Sequence, residues 1–99
     1  MDNQDFLHQR WVKQPTIVAR EIAGELILVP VQRTASDIQS IYTTNEVGSY
    51  IWAHMDGERT GGQILDAVVA EFEVDREQAE ADLEEFLEQA EQLGAIKAR

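Results

Sequence analysis

The apolar period of this chain changes once, at Asn45. Before that residue, apolar side chains alternate or bunch in short runs, as strands require. After it they recur every three or four residues, as helices require. A chain that lays down strands first and helices afterwards reads as α+β. Its 99 residues suit one domain, since single domains commonly span about 100–200 residues.

"TIVAREIAGELILVPV", residues 16–31, reads as a hairpin. Thr16, Ile17, Val18 and Ile22 favour a strand, and so do Ile27, Val29 and Val31. Ala23-Gly24 divides the two runs, and Gly24 can take the positive φ of a tight turn. Leu26 to Val29 do not alternate, so the second strand is expected to be nearly buried on both faces, as a central strand is. Pro30 cannot donate to a ladder and marks a bulge or a strand end. "RTASD", residues 33–37, is a turn. "IQSIYTT", residues 38–44, is a third strand, with Ile38, Ser40 and Tyr42 on one face and Gln39, Ile41 and Thr43 on the other. Short connections favour a meander, which puts this strand at the edge of a three-stranded antiparallel sheet.

Three helices follow. Asn45 is a good N-cap for the first. Val47, Ile51 and Met55 share its apolar face, with Trp52 beside them as a core residue, and Gly57 stops it in a C-cap position. Thr60 and Gln63 have the spacing of a capping box for the second helix, whose buried stripe is Ile64, Leu65, Val68 and Phe72. Asp75 caps the third, with Gln78 at the same offset. Its stripe is Ala79, Leu83, Phe86, Ala90 and Leu93, and Gly94 ends it. Residues 1–15 read as an N-terminal tail that Phe6 and Trp11 pin to the body, and residues 16–99 as the single domain. Pro15 breaks any helix in the tail.

The charge map excludes more than it suggests. The net charge is −11, and residues 71–92 hold ten of the 19 acids and only one base, Arg76. Nucleic-acid binding needs Lys and Arg to displace counterions, so DNA is repelled. The absence of cysteine removes disulfides and a thiol nucleophile, in keeping with a reducing cytoplasm. The polar N-terminus lacks the apolar run of a signal peptide, and no window is long enough to span a membrane. A cytoplasmic location is the expectation.

Reactive constellations are missing. His8 and His54 are not at metal-ligand spacing. The carboxylates of the third helix, Glu80, Glu84, Glu88 and Glu91, read as a solvated face or as a docking surface for a basic partner. Catalysis would need one of them in a cleft with a raised pKa. Neither catalysis nor a cofactor or metal is expected. The third strand stands out instead. An edge strand is normally blunted by Lys, Pro or a bulge, and "IQSIYTT" has neither charge nor proline. Such an edge is covered by the fold or open to an added strand.

"YTTNEVGSYIWAHMDGERTGGQI" resembles the signature of the PqqD-like family, which runs roughly Tyr-x-Leu-Asn-x-x-Gly-x-x-Ile-Trp, then Asp-Gly, then Thr and a helix. Tyr42, Asn45, Gly48, Ile51, Trp52, Asp56, Gly57, Thr60 and Ile64 fall on that pattern. "VDREQAEADLEEFLEQAEQLGAI" is similar to the family's closing helix, and Thr44 departs from the usual leucine. The likeness covers about residues 16 to 96. It implies a three-stranded sheet followed by three helices in a winged-helix arrangement. It also implies a non-catalytic protein that binds the leader of a ribosomally made precursor peptide. The leader would lie as a strand beside Ile38, Gln39, Ser40, Ile41, Tyr42 and Thr43, in a groove against the third helix. It would then be handed to a modifying enzyme, often a radical S-adenosylmethionine enzyme. On that helix Gln78, Asp82, Glu85 and Gln89 lie on one flank of the stripe, and Glu80, Leu87 and Glu91 border the other. The spacing of Asp82, Phe86 and Gln89 favours the first flank, so Asp82, Glu85, Phe86 and Gln89 are the expected contacts. A winged-helix DNA-binding regulator is the alternative, opposed by charge. A swapped homodimer through the hairpin or tail stays open.

Overall fold

A computed structural model describes residues 5–30 and 42–99. The elements run as a short 3-10 turn (Asp5–Leu7), β1 (Trp11–Lys13), β2 (Ile17–Ile22), β3 (Glu25–Pro30) and β4 (Tyr42–Thr44). Helices α1 (Glu46–Ala53), α2 (Gly61–Phe72) and α3 (Arg76–Leu93) follow, then β5 (Ile96–Ala98). The α+β class read from the sequence is observed, with β1 and β5 added outside the expected three strands and three helices.

The main sheet is antiparallel in the order β2-β3-β4. Ile22 pairs with Glu25, which leaves Ala23 and Gly24 as a two-residue turn with φ of 55° and 82°. Positive φ at both positions is the I′ turn whose twist matches the strands it joins. Pro30 closes β3 as described, opposite Ile17. Leu26 and Leu28 of β3 are 3% and 0% exposed. Ile27 and Val29 are only half-buried, so the expected burial on both faces is realised on one. The reason is that the core joins Leu26 and Leu28 to all three helices on a single side of the sheet. The described part of the third strand is Tyr42–Thr44, an edge strand paired to β3 through Leu28–Tyr42, Ile27–Thr43 and Leu26–Thr44. The turn expected at 33–37 and the strand positions Ile38 to Ile41 lie outside the described residues.

The helix caps are mostly as read. Asn45 accepts a hydrogen bond from the Gly48 N–H at 3.2 Å. Thr60 and Gln63 form a complete capping box. Gly94 caps α3 with φ of 84°. Two expectations fail. Helix α1 ends at Ala53 with His54 as its cap, so Gly57 falls in the following loop. There Asp56 accepts from the backbone N–H groups of Glu58 and Arg59. Those bonds, Arg59 first, hold its carboxyl below the usual range. Asp75 makes no side-chain cap on α3, and the side-chain amide of Gln78 donates forward to Asp82 at 2.9 Å.

Residues read as a tail carry structure. β1 pairs antiparallel with β5 in a second, two-stranded sheet, with Trp11 opposite Ala98 and Lys13 opposite Ile96. Trp11 is 5% exposed and joins the core, and Gly61 N–H donates to Gln9 C=O at 2.9 Å. Trp52 is a second departure. It is half-buried at the margin of the core, not within it. Ile51 and Met55 fill the space facing the other helices, and Trp52 is turned to the Lys13 ammonium, 4.8 Å from its ring centroid. Partial burial there lowers the pKa of Lys13, against an opposing pull from Asp56. Among the described residues no helix is long and apolar enough to cross a membrane.

Candidate functional site

The edge of β4, the start of α1 and one flank of α3 enclose a cleft of about 80 Å³. Each wall has a local cause. β4 stops because Asn45 takes the extended conformation of an N-cap and turns the chain into α1. Helix α1 can lie close to β4 because residue 48 is glycine. A Cβ there would run into the Thr44 side chain. The Thr44 side chain thus fills the space against Gly48. Phe86, 2% exposed, forms the floor and meets Tyr42 edge-to-face, with ring centroids 6.0 Å apart at 62°. This geometry favours aromatic pairs beyond the area they bury.

Asp82 and Glu85 line the same cleft. Asp82 accepts from Gln78. Among the described residues neither carboxylate has an ion-pair partner; the three ion pairs present are Arg59–Asp56, Arg76–Asp66 and Arg99–Glu58. The cleft therefore has an apolar floor, a main-chain edge that no other described strand pairs with on one side and a negative lip on the other. That combination suits an extended chain. Main-chain groups pair with β4, every second side chain drops toward Phe86, and a cation can rest on the lip.

Of the ten residues expected at this site, Tyr42, Asp82, Glu85 and Phe86 come together on the cleft. Thr43 is exposed and alternates to the other face of the sheet, opposite Ile27. Gln89 is exposed one turn beyond the cleft and does not line it. Ile38, Gln39, Ser40 and Ile41 lie outside the described residues. The sequence reading did not place Thr44, Asn45, Val47, Gly48 and Ile51 in the site, although all five line the cleft. The pairing of a cap at Asn45 with a glycine three residues on was the available signal, because it brings a helix start against a strand end. Among the described residues no group of three or more His, Cys, Asp or Glu is placed to hold a metal ion.

A family profile described as "Coenzyme PQQ synthesis protein D (PqqD)" matches residues 25–96, and the chain belongs to that family. A solved structure of TbiB1 in complex with the TbiA(beta) leader peptide is similar in fold. The two align with a TM-score of 0.68 at 27% identity, over 86% of this chain and 93% of that one. A search of curated proteins gives no match.

Proposed function

We propose that this protein is a non-catalytic recognition element that binds the leader of a ribosomally made precursor peptide as an added strand beside β4. It then presents that peptide to a modifying enzyme. The observation that carries the reading is the cleft itself: an edge strand open toward Phe86, Asp82 and Glu85. PqqD membership supports the role, and so does likeness to a protein whose structure holds a leader peptide. Membership also supports a radical S-adenosylmethionine enzyme as the receiver. The side chains lining the cleft suit holding more than reacting, since strand addition draws affinity from main-chain hydrogen bonds and specificity from pockets for alternate side chains.

The test is titration with the precursor peptide encoded beside this gene, read by calorimetry and by amide hydrogen exchange. The expected result is binding together with slowed exchange at Tyr42–Thr44. Binding without protection of those amides overturns strand addition, and no binding overturns the function. Co-purification of the loaded complex with a radical enzyme tests the receiver separately.

A further inference from the structure

The hairpin turn fixes which way the main-chain groups of the sheet point. Ala23 and Gly24 form a two-residue turn with φ of 55° and 82°, so Ile22 and Glu25, which flank it, exchange both of their main-chain hydrogen bonds. Along an antiparallel ladder such pairs alternate with pairs that exchange none. Ile22, Arg20 and Val18 therefore direct their N–H and C=O groups at β3, and Glu21, Ala19 and Ile17 direct theirs away from it. Ile17 agrees with this alternation, because its N–H donates to Gln14 C=O at 3.3 Å and not to β3.

The alternation carries across β3. Glu25 and Ile27 turn their main-chain groups to β2, so Leu26 and Leu28 turn theirs to β4. Leu26 lies opposite Thr44 and Leu28 opposite Tyr42, and those two residues of β4 are taken up by the ladder. Thr43, between them, turns its N–H and C=O to the outer edge, where no described strand pairs with β4. Its side chain is exposed on the face of the sheet away from the cleft, opposite Ile27. The residue whose side chain leaves the site is thus the one whose main chain meets an added strand.

We propose that, of Tyr42, Thr43 and Thr44, Thr43 alone bonds the leader through its main chain, and that its side chain is not read. The assignment rests on the proposed function and sets the frame in which the peptide is recognised. The peptide residue opposite Thr43 shares its face and is passed over by the cleft. The residues before and after it share the face of Tyr42 and Thr44, which looks onto Phe86, Asp82 and Glu85. The ligand is therefore a peptide with its recognised side chains at positions i and i+2 and a variable residue between them.

The test follows amide hydrogen exchange residue by residue, in the full chain alone and with the precursor peptide encoded beside this gene. In the free chain Thr43 should exchange fast, and Tyr42 and Thr44 slowly. With peptide, the largest slowing should fall at Thr43. A Thr43 amide already protected in the free chain overturns the anchor alone, as does binding whose largest slowing falls at Tyr42 or Thr44. No binding overturns the proposed function and the anchor with it. Two variants give a second readout. Proline has no N–H, and an outward-facing edge position is where a strand tolerates it. Thr43→Pro should keep the fold in a thermal melt and weaken the peptide by about tenfold, while Thr43→Val, which keeps the N–H, should bind as the parent does. A folded Thr43→Pro that binds normally overturns the proposal, and so does loss of binding in Thr43→Val. The exchange rates decide the matter whether or not the proline variant folds.

Discussion

The two flanks of α3 carry the same kind of side chain and differ in what faces them. On one, Asp82 and Glu85 look across at a strand edge and a helix cap that are neighbours in sequence, residues 42–51. On the other, Glu84, Glu88 and Glu91 look across at Phe6 and Trp11, far away along the chain. The first flank is built from local structure, and its floor, Phe86, is braced by Tyr42. The second takes one wall from β1, which pairs with β5 at the other end of the chain, and there the indole Nε1 of Trp11 is buried without a partner among the described residues. An acidic helix face thus says little until the opposing wall is known.

The sharpest way to break this comparison is to remove each floor. Phe86→Ala should cost about 3–5 kcal/mol and Leu87→Ala about 2–5 kcal/mol, large shares of the roughly 5–15 kcal/mol a small domain has. Thermal melts would measure both. Below the melting range, only Phe86→Ala should lose leader peptide, and equal loss from both would show that the flanks are not independent.

Two glycines give a gentler pair of probes. A Cβ at Gly61 would meet the Phe6 carbonyl, and one at Gly48 the Thr44 side chain. Gly61→Ala should cost about 1–3 kcal/mol through overpacking against backbone. Gly48→Ala should cost less, since a side chain yields more readily and alanine favours a helix by about 1 kcal/mol. In NMR spectra Gly61→Ala should move the Trp11 indole signal, and Gly48→Ala the Tyr42 amide. The reverse pattern would misassign the walls.

Trp52 serves as a control touching neither flank. Half-buried under Lys13, it should cost about 1–2 kcal/mol on truncation to alanine, below the 3–5 kcal/mol of a fully buried aromatic. A full-sized loss in a melt would return it to the core.

The smallest effect is expected at the lip. Asp82→Asn with Glu85→Gln should change leader affinity by no more than about 1 kcal/mol per pair, mainly by slowing association at low salt. Stopped-flow rates across a salt series would show it. A flat series would reduce the lip to a solvated surface.

These contrasts follow what the residues could announce. The hairpin was legible because Ala23-Gly24 sits between two β-forming runs, and α2 because Thr60 and Gln63 satisfy each other within one turn. Tyr42, Asp82, Glu85 and Phe86 could be grouped through the family pattern and helical spacing. β1 and β5 could not be foreseen, since three-residue strands from opposite ends of the chain leave no periodicity in either segment. Trp52 was misplaced because a helical wheel shows only an apolar face and not the Lys13 that meets it. The cap expected at Asp75 is not made, since the spacing of Asp75 and Gln78 permits a capping box without fixing either rotamer.

The pairing of Trp11–Lys13 with Ile96–Ala98 has a consequence for the order of folding. The hairpin closes across two residues and such turns form in about 1–10 μs. The terminal sheet must close a loop of nearly the whole chain, whose entropic cost grows with the logarithm of its length, and it gains only three residue pairs in return. On that ground the terminal pairing is expected to follow the hairpin in folding. The clasp it makes is held by more than its ladder, because Trp11 and Ile96 are 5% and 2% exposed and pack into the core.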